Sequence, residues 1–121
     1  MSKFEHIKSR LRIFASNRDW DQFHSPKNLA MALSVEVAEL VEHFQWLTEE
    51  SSQNLKADKL DEVADEIADV QLYLIRLADK LEVDILKAVE QKMEKNEAKY
   101  PADKVRGSSK KYTEYTDEES E

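Results

Sequence analysis

Residues 60–81 read LDEVADEIADVQLYLIRLADKL, with Leu60, Ile67, Leu74 and Leu81 at every seventh position and Val63, Val70 and Leu77 between them. A repeat of this length predicts a helix, from about 58 to 81, that packs along other helices through a bundle-type seam. Glu66 and Asp69 do not belong to a simple seam, because they stand at the border of its apolar stripe. A second stretch, LSVEVAELVEHFQWL at 33–47, repeats the pattern with Glu36 and Glu39 beside the stripe Leu29, Leu33, Val37, Leu40, Phe44 and Leu47. The two helices have to be explained together.

Working outward, Ser25 followed by Pro26 matches an N-cap with proline at the first helical position, so the second helix is predicted from there to about 47. Phe4, Ile7, Leu11 and Phe14 predict a first helix over roughly 3–16. The segment NRDWDQFHSPKN (17–28) has no period, and TEESSQNLKA reads as a loop. After a short EVD connection, Asp84 is placed to cap a fourth helix that carries Leu86, Val89 and Met93 inward and ends before Tyr100 and Pro101. From 106 onward RGSSKKYTEYTDEESE has no apolar period. The expected organisation is one helical domain over 1–105 and a mobile tail over 106–121.

Composition agrees with an all-α fold. One glycine and two prolines in 121 residues leave little for turns and bulges, while Ala, Leu, Glu and Lys are the residues helices favour. A chain of this length that is 40% hydrophobic buries a modest core alone and a better one by association with copies of itself. It contains no cysteine, so disulfides and thiolate metal sites are excluded, and MSKFEHIKSRLRIF offers no uncharged stretch long enough for a signal peptide or membrane span. The expectation is a cytoplasmic protein without a membrane partner. A formal net charge of −8 argues against a nucleic-acid partner, which calls for a surplus of Lys and Arg facing phosphates.

At about 100° per residue, Glu36, Glu39 and Trp46 fall on one flank of the second helix, and Glu66, Asp69 and Tyr73 on one flank of the third. Each helix thus offers an i, i+3 carboxylate pair beside its buried stripe. If the helices pack side by side, four carboxylates converge. Other acidic pairs, such as Asp58/Asp61 and Glu94/Glu97, are most simply solvated faces in a chain with 26 acidic residues. The two bordering pairs differ, since unpaired carboxylates that lose hydration repel strongly and divalent cations relieve that repulsion. All-oxygen ligation favours Mg²⁺ or Mn²⁺, and Mg²⁺ commonly completes its shell with water and substrate phosphates.

ExxE at 36–39, then ExxD at 66–69, on paired helices resembles the MazG-like nucleoside triphosphate pyrophosphatases. RDWDQFHSPKNLAMALSVEVAELVEHFQW, DEIADVQLYLIRLA, KMEKNEAKYP and GSSKKYTE are similar to the dCTP pyrophosphatase branch of that superfamily, across roughly residues 4–116. The resemblance implies a four-helix MazG-like bundle assembled through homo-oligomerisation, most simply a homotetramer with sites between subunits. It implies Mg²⁺-dependent hydrolysis of a nucleoside triphosphate, dCTP or a related pyrimidine deoxynucleotide, to the monophosphate and pyrophosphate. Metal ligation carries over to Glu36, Glu39, Glu66 and Asp69, base binding to Trp20, His24 and Trp46, and sugar or phosphate contacts to Tyr73, Asn96, Lys99 and Tyr100. Leu11 stands where relatives that prefer dCTP can carry a histidine.

The residue types suit that chemistry. A triphosphate repels nucleophiles through its own charge, which metal ions neutralise, and positioning supplies much of the remaining acceleration. Either Glu36 or Glu39 is then available to take a proton from the attacking water. Trp20 and Trp46 can sandwich a planar base, while discrimination falls to hydrogen bonds from groups such as His24. Arg106, Lys110 and Lys111 form a basic island that can fold over a bound triphosphate. The competing readings are a non-catalytic helical interaction module and a related pyrophosphatase with another nucleotide substrate. A di-iron carboxylate bundle needs Glu-x-x-His on two helices, and neither acidic helix has it.

Overall fold

The computed structural model describes residues 1–108. Helices α1 (Lys3–Asn17), α2 (Pro26–Glu42), α3 (Glu49–Ser52), α4 (Ala57–Lys80), α5 (Ile85–Lys99) and α6 (Ala102–Val105) follow one another, with a 3₁₀ turn at Asp21–Phe23 between α1 and α2. No strand occurs among the described residues. The chain divides into two compact units, Met1–Val83 and Asp84–Glu121.

In the first unit α2 packs chiefly on α4, and α1 packs on α4 and on the 3₁₀ turn. The caps follow the sequence. Ser25 Oγ accepts the Asn28 N–H with Pro26 opening α2, and Ser2 Oγ accepts the Glu5 N–H to open α1. Thr48 and Ser51 form a reciprocal capping box that turns part of the expected 48–57 loop into the single turn α3.

With glycine nearly absent, two helices end on other residues. Asp19 (φ 54°) and Glu82 (φ 56°) take the left-handed conformation past α1 and α4. Trp20 N–H returns to the Ala15 carbonyl and Asp19 N–H to Ser16; Val83 N–H returns to Ala78 and Glu82 N–H to Asp79. Both are Schellman closures, in which a side chain occupies the position glycine usually fills. The first one turns the chain so that Trp20 follows α1 at once.

Two expectations need correction. Helix α2 ends at Glu42 rather than near 47, because His43, Phe44 and Leu47 N–H groups bond to carbonyls three residues back and tighten the last turns. The regular 100° spacing therefore stops before Trp46. The heptad seam is also buried only in part within the chain: Leu60, Ile67 and Leu81 are each more than half exposed, whereas Val63 of the seam, with Ile75 of α4, joins Ala15 and Leu29 in the core. Within the described residues of the first unit, α1 and α2 are the helices that pack chiefly on this helix of 24 residues.

In the second unit Asp84 caps α5 by accepting the Lys87 N–H, and α5 closes with Tyr100 N–H on the Asn96 carbonyl. Its expected inward stripe, Leu86, Val89 and Met93, is exposed, since among the described residues of this unit no second long helix is present to cover it. The single glycine, Gly107, sits at φ 74° after α6.

Replacing Glu82 by glycine removes the left-handed penalty of a side chain at this exposed position. Thermal melting of Glu82→Gly should show stabilisation of about 1 kcal/mol, and Glu82→Val, whose branched side chain tolerates φ > 0 poorly, should be destabilised.

Candidate metal centre and adjoining cleft

The packing of α2 on α4 faces the acids toward one another. Glu36, Glu39 and Glu66 each present a carboxylate oxygen, all within 4.8 Å of one another. Asp69, one turn after Glu66, lies outside that trio but lines the neighbouring cleft. Glu36 and Glu66 each have one carboxylate oxygen, Oε2, withdrawn from solvent without a hydrogen-bond partner. Such an orphaned oxygen is costly unless something binds it.

The electrostatics tell the same story. Loss of hydration pushes the Glu36 carboxyl up to about 7, helped by Glu39 and Asp69. Desolvation, followed by the Glu39 charge, also raises Glu66. Two elevated acids with orphaned oxygens fit a divalent cation held by carboxylates, which would supply the missing partner and cancel the repulsion.

Beside the acids lies a cleft of about 640 Å³ whose lining includes Phe14, Trp20, His24, Asp69, Tyr73 and Arg76. Trp20 meets the Phe14 ring edge-on, with centroids 5.7 Å apart, and remains 45% exposed. Asn28 Nδ2 donates to the Phe23 carbonyl (3.0 Å), tying the end of the 3₁₀ turn to the start of α2. The cleft thus has an aromatic wall on one side and a carboxylate at its rim.

Behind the cleft is a group that the sequence reading did not select. Arg76 is only 7% exposed; its Nε donates to His24 Nδ1 (3.3 Å) and its Nη2 to Asp21. Asp21 also receives Lys80 Nζ (2.7 Å), while Arg12 grips Asp79 through two hydrogen bonds and Asp79 stands 3.7 Å from Arg76. The Lys80 hydrogen bond holds the Asp21 carboxyl below its ordinary range, and Arg12 does the same for Asp79. The signal was present as a lone arginine inside the apolar run LYLIRLA. Hydrophobic periodicity gives no reason to single it out, and its hydrogen-bond partners His24 and Asp21 lie more than fifty positions away.

The remaining sequence candidates are distributed differently. Trp46 follows α2 and is 88% exposed, and it does not line this cleft. Asn96 and Lys99 lie in the last turn of α5, with Tyr100 next, and Arg106 follows α6, all in the second unit. Lys110 and Lys111 lie outside the described residues. Leu11 lines the cleft, together with Arg10 and Leu72, which the sequence reading also missed. No helix among the described residues is long and apolar enough to cross a membrane.

Comparison with known proteins gives consistent matches. Residues 31–115 match the MazG-like family. The chain is 47% identical over 112 residues to dCTP pyrophosphatase 1 of Homo sapiens and 45% identical over 111 residues to that of Mus musculus, covering 91% and 90% of this chain. It spans only 66% and 65% of those relatives' lengths. The fold is similar to the crystal structure of a pyrophosphatase from Archaeoglobus fulgidus DSM 4304, with a TM-score of 0.79 and 44% identity over 84% of this chain and 94% of that one.

The raised Glu36 makes a prediction for the metal-free protein. Below about pH 4.5 the carboxyl is neutral both folded and unfolded; as pH rises toward 7 the unfolded chain releases the proton first, so the folded state loses stability across that window and does not regain it above. Glu36→Gln in EDTA should therefore melt several degrees above the parent at pH 8, about 1 kcal/mol after allowance for solvent screening, and the difference should shrink at pH 5. An equal difference at both pH values would count against a desolvated, repelled Glu36.

Proposed function

Because the chain belongs to the MazG-like family, we propose that it is a nucleoside triphosphate pyrophosphohydrolase that uses Mg²⁺ or Mn²⁺ and acts on dCTP or a related pyrimidine deoxynucleotide. The observation that carries the reading is the Glu36, Glu39 and Glu66 oxygen cluster, with its orphaned oxygens, beside an aromatic cleft that Asp69 borders. The names of the similar proteins support the substrate class.

In this reading water attacks the α-phosphorus, the bond to the bridging oxygen breaks, and pyrophosphate leaves with the monophosphate as the other product. Glu36, Glu39, Glu66 and Asp69 would hold the divalent cation, which when bound would supply charge neutralisation for the triphosphate and acidify the attacking water. Glu36 or Glu39 accepts the proton of the attacking water. Trp20 offers its face to the base, His24 a polar contact to the base edge, and Tyr73 a hydroxyl toward the sugar or phosphates. Asn96, Lys99, Tyr100, Arg106, Lys110 and Lys111 are assigned as sugar or phosphate contacts, from this chain or another copy of it, on the family resemblance alone.

We further propose a homo-oligomer, most simply a tetramer. The exposed α4 seam and the exposed Met31, Val35 and Val41 of α2 are apolar surface of the kind that association covers. Trp46, 88% exposed on its own chain, is then available to the cleft of another copy, where it would face Trp20. A freely diffusing nucleotide substrate and the lack of cysteine suit a cytoplasmic site of action.

Incubation with a panel of deoxy- and ribonucleoside triphosphates plus Mg²⁺, with pyrophosphate read out, tests the activity, and dCTP should lead. Glu39→Gln or Asp69→Asn should lose turnover by at least about a hundredfold while remaining folded, whereas wild-type rates in either would remove the ligand assignment.

Trp20→Ala and Trp46→Ala should each raise KM for dCTP by roughly tenfold or more, corresponding to about 1–3 kcal/mol of stacking. An active monomer in sedimentation at micromolar concentration would contradict the assembly.

A further inference from the structure

Arginine carries five N–H donors and no acceptor. When Arg76 Nε points at Nδ1 of His24, that ring nitrogen must offer its lone pair, and a neutral imidazole then carries its one proton on Nε2. The geometry leaves little freedom for another arrangement. Arg76 is buried and held from three directions: His24 at Nε, Asp21 at Nη2 and Asp79 near Nη1. Both carboxylates have a second cation, Lys80 for Asp21 and Arg12 for Asp79, so the guanidinium is fixed by a network spanning α1, the 3₁₀ turn and α4.

We propose that Arg76 is a positioning residue for base recognition: by fixing His24 as the Nε2–H form, it makes this cleft residue a hydrogen-bond donor that selects bases presenting an acceptor. The inference rests on the nucleotide reading above and adds the source of its selectivity. An unprotonated ring nitrogen, as at cytosine N3, satisfies such a donor, whereas the N3–H of thymine or uracil opposes it. Discrimination through a fixed donor is strong because the wrong edge leaves a polar group in the cleft without its partner. Burial, and then the neighbouring Arg76 charge, lower the His24 pKa, so the ring also stays neutral at neutral pH, with Lys80 acting in the same direction and Asp21 against it.

The test uses the full chain labelled with ¹⁵N-histidine, His24 being assigned by the signals lost in His24→Gln. Long-range ¹H–¹⁵N correlation spectra at neutral pH should show Nδ1 unprotonated and Nε2 protonated in the parent protein. Arg76→Met should give a mixture of tautomers, and Arg76→Lys, which keeps the charge without the planar fork, should keep the fold but not the single tautomer. Asp21 retains Lys80 and Asp79 retains Arg12 in both variants, so neither is left as an unpaired carboxylate.

In kinetics, the dCTP over dTTP ratio of kcat/KM should fall about tenfold in Arg76→Met, close to one misdirected hydrogen bond, with the change in preference read in the KM values of the two nucleotides. An Nδ1–H ring in an active parent enzyme overturns this inference alone, as does an unchanged base preference once the tautomer is freed. A parent protein that hydrolyses no triphosphate overturns the nucleotide reading, and the recognition role with it, whatever tautomer the spectra show.

Discussion

Packing α2 against α4 forces carboxylates of like charge into one partly dehydrated seam, and much of the first unit is arranged around that conflict. Glu36 and Glu66 each have an oxygen withdrawn from solvent that no protein donor satisfies. A fold selected for stability alone would place leucine or alanine there, or a lysine in reach. The conflict persists because the α2–α4 contact is also the main packing contact of the unit, with Val63 and Ile75 of α4 and Leu29 of α2 among its buried residues. The apolar burial that assembles the helices supplies the free energy that holds the acids together.

Arg76 is the opposite case of a buried charge. Its guanidinium is nearly enclosed, yet Asp21, Asp79 and His24 all face it. Taking such a charge out of water costs several kcal/mol, and a network of this kind is better explained by the geometry it fixes than by net stability. Here it anchors the 3₁₀ turn, and with it Trp20 and His24, to the middle of α4, the same helix that carries Glu66 and Asp69. Acidic cluster and aromatic wall are therefore referenced to one rigid element. Relative placement within a fraction of an ångström matters for catalysis, and a long helix provides it better than two independent loops would.

The parts of this arrangement that were legible in the sequence are those set by local rules. Ser25-Pro26, Asp84 and the i, i+3 acid pairs depend on spacing along one helix, and the caps stand where that spacing puts them. The angular argument brought Glu36, Glu39 and Glu66 to one place because it needed only two regular helices in contact. It failed at Trp46, where three-residue hydrogen bonds replace four-residue ones and the helical angle no longer applies. Arg76 was out of reach for a different reason. Asp79, one turn on, is the only partner its own helix offers, and one acid among many in this chain singles nothing out; Asp21 and His24 approach it only once α1 and the Schellman closure at Asp19 have turned the chain back. The heptad seam was read correctly as helical, but a period does not say whether the partner belongs to the same chain.

That last distinction bears on why so small a chain can carry a site of this kind. Among the described residues the buried apolar side chains are few, Ala15, Leu29, Val63 and Ile75, while large apolar side chains line the outside of α2, α4 and α5. A unit with this little interior resists unfolding weakly by itself, and the unsatisfied acids weaken it further. Two kinds of partner would relieve the two deficits separately: a cation would answer the orphaned oxygens, and apolar contact with another helical surface would answer the exposed seam. Both add stability only to the folded form, in proportion to their binding, so neither requires a larger core in the chain itself. The acids that make the isolated fold less stable are thereby the same groups that make it responsive to what it binds.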